Sequence, residues 1–88
     1  MPLIFPNRSR SFDEGREGVR FSGYDGMFEV RFLIEASALS SIARTGQTEA
    51  ECLSAFDAAR PAILEAASAL YGRGGKDRYT LTEKDIRR

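Results

Sequence analysis

The stretch Gly18 to Glu35 reads G-V-R-F-S-G-Y-D-G-M-F-E-V-R-F-L-I-E, two alternating apolar and polar runs with Asp25-Gly26 between them. An Asp-Gly pair in that setting is the strongest short-range hairpin signal, because a type I′ turn needs positive φ at both central residues. With Asp25 and Gly26 as the two loop residues, Tyr24 faces Met27, Ser22 faces Glu29, Phe21 faces Val30 and Val19 faces Phe32. Side chains alternate with period two, so Val19, Phe21, Phe28, Val30, Phe32 and Ile34 share one face. A slip of one residue would break that agreement. The rest of the chain has to be arranged around this hairpin.

Before it, Leu3-Ile4-Phe5 is a short apolar run between Pro2 and Pro6 and reads as an edge strand, since proline cannot donate to a ladder. Asn7 to Ser11 is a basic loop, and Phe12 anchors the acidic stretch that follows. After the hairpin, Ser37 is expected to cap a short helix to about Arg44, with Leu39, Ile42 and Ala43 buried and Thr45-Gly46 as its stop. Thr48-Glu49-Ala50-Glu51 is a capping box that opens a long helix to about Tyr71. Cys52, Leu53, Phe56, Ala59, Ile63, Ala66, Ala67 and Leu70 form its apolar stripe, and Pro61 kinks it on the wet side. Gly72 to Lys76 makes a loop, Arg78 to Leu81 a short strand, and Thr82 to Asp85 the cap of a last turn. One apolar sheet face and apolar helix stripes give an α+β fold: a small antiparallel sheet, a central hairpin with short flanking strands, covered on one face by a short and a long helix.

The chain has 88 residues, enough for a single domain spanning 1–88. Thirteen basic residues balance thirteen acidic ones, which argues mildly against a dedicated nucleic-acid binder. Cys52 is the one cysteine, so no internal disulfide forms, and a reducing cytoplasm is the expected setting. No apolar run reaches the roughly 18 residues of a membrane span, and the apolar start at Met1 is too short for a signal peptide.

The absence of histidine removes the commonest general base and, with a single cysteine, the usual zinc ligand sets and Cys-His or Ser-His nucleophile pairs. Cys52 lies on the apolar stripe and reads as an inert buried thiol. Gly72-Arg73-Gly74-Gly75-Lys76-Asp77 is not a phosphate cradle: it follows a helix C-terminus, and Asp77 stands where the pattern needs a hydroxyl. Asp13, Glu14, Glu17, Glu29 and Glu35 include no pair that can be set across a cleft, so no acid–base constellation is found. No cofactor or metal is expected.

One pair stands out. In the register above, Arg20 and Arg31 face each other on the outer side of the hairpin, where like charges repel. Either Glu29, diagonal to Arg20, relieves them, or a bound anion does.

Val19-Arg20-Phe21, Gly26, Val30, Ile34, Ala38-Leu39, and Phe56 with Arg60, Ile63 and Ala67 resemble a family of short bacterial proteins, the domain of unknown function DUF1488. The similarity runs from about Phe12 to Asp85 and is carried mostly by core residues, so it speaks to fold. It implies a small cytoplasmic α+β protein and supplies no catalytic residue; members often carry cysteine where this chain has Phe32. Arg60 is the one polar member of the matched set and is expected to snorkel or to pair with an acid.

Two readings of function stand. The first is a non-catalytic domain that binds another macromolecule, in a regulatory role, with Arg20, Arg31, Glu29 and Arg60 as contact residues. The alternative is a weak nucleic-acid or anion binder through Arg8, Arg10, Arg20 and Arg31. An enzyme is not expected. Tyr24, Met27 and Leu33 beside the arginines of the outer face also suggest a homodimer through the hairpin.

Overall fold

A computed structural model describes residues 3–6, 9–43, 48–74 and 76–86. The elements run β1 (Ser11–Asp13), β2 (Gly18–Asp25), β3 (Phe28–Glu35), α1 (Ala36–Ala43), α2 (Glu49–Ala58), α3 (Arg60–Gly74), β4 (Arg78–Leu81) and α4 (Glu83–Ile86). The sheet order is β1-β2-β3-β4. The first two pairings are antiparallel, but β4 lies parallel to β3, so the sheet is mixed. A parallel neighbour needs a long crossover, and α1 to α3 supply it.

The hairpin forms, with its turn one residue further on than the Asp-Gly signal suggests. Asp25 pairs with Phe28, which leaves Gly26 and Met27 as the loop. Gly26 has φ +63°, and Met27 does not share the positive φ. That is the type II′ pattern, which asks for glycine only at the first central position. Every partner moves along by two residues: Phe21 meets Phe32, Val19 meets Ile34, Ser22 meets Arg31 and Arg20 meets Leu33. A shift of two keeps each side chain on its face, so the apolar pattern is blind to it.

Val19, Phe21, Val30, Phe32 and Ile34 are buried as the alternation requires, with Tyr79 and Leu81 added by β4. Phe28 shares their parity but sits at the last rung beside the turn, 78% exposed. The helical layer answers with Leu39 from α1, Cys52, Ala55 and Phe56 from α2, and Ile63 and Ala67 from α3. Phe32 is the aromatic hub: its ring stacks on Phe21 at 5.2 Å and on Tyr79 at 5.7 Å, and Phe5 lies 6.2 Å away.

Several local expectations change. The segment at Leu3-Phe5 makes one antiparallel bridge, Ile4 with Tyr24, and the edge strand proper is β1. Ser37 lies inside α1, which begins at Ala36. Arg44, Thr45-Gly46, Asn7 and Arg8 lie outside the described residues, as do the side chains of Ile42 and Ala43. Thr48 and Glu51 form the capping box. The long helix is two helices, interrupted at Ala59, although Ala59 N still donates to Ala55 O and Ile63 N to Ala59 O at 3.0 Å. The cause is Pro61 in the first turn of α3, which has no N–H for the carbonyl of Asp57. Gly72 and Gly74 belong to α3 rather than to a loop. No helix among the described residues is long and apolar enough to cross a membrane.

Candidate binding site on the open sheet face

The helices take one face of the sheet. Strand pairing lays the residues of the other face in rows. One row is Ser22, Arg31, Arg78, and the next is Ser11, Arg20, Leu33, Thr80. Tyr24 and Glu29 form the row nearest the turn. Together with the turn between β1 and β2, these rows line an open concavity of about 600 Å³. Its charged residues are five arginines, Arg10, Arg16, Arg20, Arg31 and Arg78, against two carboxylates, Asp13 and Glu29.

Both carboxylates are occupied. Asp13 Oδ1 accepts the backbone N–H of Arg16 at 3.0 Å, and Oδ2 accepts from Arg20 at 3.2 Å. The Arg16 amide first, and the Arg20 guanidinium second, hold the Asp13 carboxyl below its usual range. Glu29 accepts the Ser22 hydroxyl at 3.0 Å and faces Arg31 Nε at 3.6 Å. Arg20 and Arg31 remain 63% and 64% exposed. Among the described residues no carboxylate comes within ion-pair distance of Arg78.

Arg20 and Arg31 therefore do not face each other; the two-residue shift sets Leu33 opposite the first and Ser22 opposite the second. Glu29 neutralises Arg31 rather than Arg20, and Asp13 takes Arg20. The like-charge pair that does exist is Arg31 with Arg78, in register across the parallel strands. Leu33 is not an exposed patch residue: it is 7% exposed, and a Cβ added to Gly18 would lie 3.1 Å from its Cδ1. With the Arg20–Arg31 repulsion gone and Leu33 covered within the chain, the outer face loses two of the features that suggested a dimer.

Arg60 lies away from this face. It is buried, its guanidinium 4.8 Å above the Phe56 ring, with Nη2 donating to Asp57 at 3.1 Å. Asp57 also receives a two-pronged contact from Arg10, Nε at 2.9 Å and Nη2 at 2.6 Å. The Arg10 hydrogen bond first, and Arg60 second, lower the Asp57 carboxyl. This cluster ties the approach to β1 onto α2, so Arg10 contributes the rim of the concavity while its fork is engaged. Arg8 lies outside the described residues. Cys52 is 0% exposed, and burial pushes its thiol up, as an inert core thiol requires.

The sequence reading missed Arg16 and Arg78. The short run Arg78-Tyr79-Thr80-Leu81 signals a strand but not its neighbour, and only the parallel pairing with β3 brings Arg78 beside Arg31. Chemically, the face offers guanidinium forks and hydroxyls, groups suited to holding an anion.

No curated protein and no solved structure matches this chain. The family model described as "Protein of unknown function (DUF1488)" matches residues 3–82, nearly the whole chain, and the protein belongs to that family.

Proposed function

We propose that the protein is a non-catalytic binding domain that engages an acidic surface of a partner protein through the open face of its sheet. The observation that carries this reading is segregation of charge. The chain is neutral overall, yet the concavity sets five arginines against two carboxylates that are already engaged; with Arg10 held by Asp57, the excess is carried by Arg16, Arg20, Arg31 and Arg78. All five cations are arginine, whose planar fork suits carboxylate and phosphate groups and is weakly hydrated. A lone buried thiol fits a reducing cytoplasm as the place of action.

Nucleic acid is the competing partner. Proteins that hold single strands stack successive bases on aromatic rings. Among the described residues Tyr24 is the one aromatic side chain on the outer face, because Phe21, Phe32 and Tyr79 belong to the core cluster. The experiment is affinity capture from a soluble extract, with nuclease-treated and untreated halves compared over a salt series. Capture of a protein that survives nuclease supports the reading. Loss on nuclease treatment, with affinity falling steeply in salt, assigns the face to nucleic acid instead. Light scattering at micromolar concentration tests whether a second copy takes the face.

A further inference from the structure

We propose that Arg31 and Arg78 form a binding site for a phosphate monoester dianion, and that the group the face takes is the phosphate of a phosphorylated serine or threonine on the partner protein. This rests on the reading of the face just given and makes it specific.

Arg31 and Arg78 are register partners on adjacent parallel strands, whose axes lie about 4.8 Å apart, and both side chains point to the outer face. Like charges directly opposite each other destabilise a sheet unless something lies between them. Glu29 does not fill that role for both: it meets Arg31 through Nε at 3.6 Å, a long contact, and its other oxygen is taken by Ser22. Two guanidinium forks offer paired N–H donors from two sides. A carboxylate, with one charge and two oxygens, satisfies one fork. A phosphate monoester, with about two charges and three terminal oxygens, satisfies both. Thr80 lies on the next row of β4 and adds a hydroxyl on the same face.

The chain is suited to a test by pH. It has no histidine, so no side chain of ordinary pKa changes charge between about pH 5.5 and 7.5. The charged groups lining the concavity are Arg10, Arg16, Arg20, Arg31 and Arg78 with Asp13 and Glu29. The second ionisation of a phosphate monoester falls inside that pH window, near pH 6.

The experiment is an amide NMR titration of the full chain with O-phosphoserine, with serine and glutamate as controls. The expected result is saturable shifts at Ser22, Arg31, Arg78 and Thr80, and affinity about fourfold higher at pH 7.5 than at pH 5.5, following the dianion fraction. Arg31→Gln and Arg78→Gln should each weaken binding about tenfold, while Arg31→Lys, which keeps the charge but loses the fork, should fall between. Glutamate binding as tightly as phosphoserine, or a flat pH profile, would overturn the proposal in favour of a carboxylate. An oligonucleotide that binds these residues equally well with and without a 5′-phosphate would overturn it in favour of nucleic-acid backbone. If phosphoserine fails while Arg31→Glu still abolishes partner capture, the phosphate site falls and the binding face stands; if both fail, both fall.

Discussion

Phe28 and Phe32 lie on the same strand with the same parity, yet the structure gives them opposite weights. Phe32 is 2% exposed and meets three aromatic rings, whereas Phe28 is 78% exposed. Replacing Phe32 by leucine keeps most of the volume, a change that alone costs under about 1.5 kcal/mol. It also removes three ring–ring contacts, each contributing about 0.5–1.5 kcal/mol beyond its area and not fully additive. We expect a total of about 2–3 kcal/mol, a large part of the roughly 4–13 kcal/mol typical for a domain of this size. Phe28→Leu should stay within about 0.5 kcal/mol of wild type. Urea unfolding followed by circular dichroism reads both. With a slope of about 1 kcal/mol per molar, Phe32→Leu should lower the midpoint by about 2–3 M and Phe28→Leu by less than about 0.5 M. Equal losses would refute the reasoning, because they would mean that alternation alone decides burial and that the hub contacts carry nothing.

Four further outcomes are expected. Cys52 should resist alkylation in the native state and react once urea unfolds the chain; rapid labelling without denaturant would mean that α2 turns a different face to the core. Gly26→Val should cost more than Gly26→Asn in the same urea assay, because only the turn's positive φ distinguishes them: no atom lies within 4 Å of a Cβ added there. Gly74→Val fails for a different reason, since its Cβ would lie 2.6 Å from the Tyr79 hydroxyl that accepts the Lys76 amide, and Tyr79→Phe should recover part of that loss. Asp57 has a folded-state pKa below its ordinary value, so its contribution is present above about pH 4 and is lost as pH falls through the lower folded value. Asp57→Asn should therefore narrow its deficit against wild type as midpoints are measured from pH 5 down to pH 2.

The hairpin, the capping box at Thr48 and the apolar stripe from Cys52 to Ala67 were legible because each is written in neighbouring residues. The register was not, because a two-residue shift leaves every face unchanged while Gly26 serves either turn type. That ambiguity misassigned the arginine pair. Arg78 could not be placed from its own four-residue strand, since its neighbour is set by a crossover of some forty residues rather than by a turn. Leu33 looked exposed by parity, and its burial depends on Gly18 leaving room across the strand. Arg60 reads from the sequence as a polar residue that pairs with an acid, and Asp57 takes it; that Asp57 also takes Arg10, 47 residues away, depends on tertiary packing that no local pattern carries.

The central claim is that the open arginine face is the binding surface. Its most direct measurement is affinity capture from nuclease-treated extract with wild type, Arg31→Glu/Arg78→Glu and Arg73→Glu, each first shown to have the wild-type urea midpoint. Arg73 lies exposed at the end of α3, outside the residues lining the concavity, so it serves as the charge control. The account expects the double variant to lose the partner and Arg73→Glu to retain it. Equal retention by both would contradict it and place the binding surface elsewhere on the molecule.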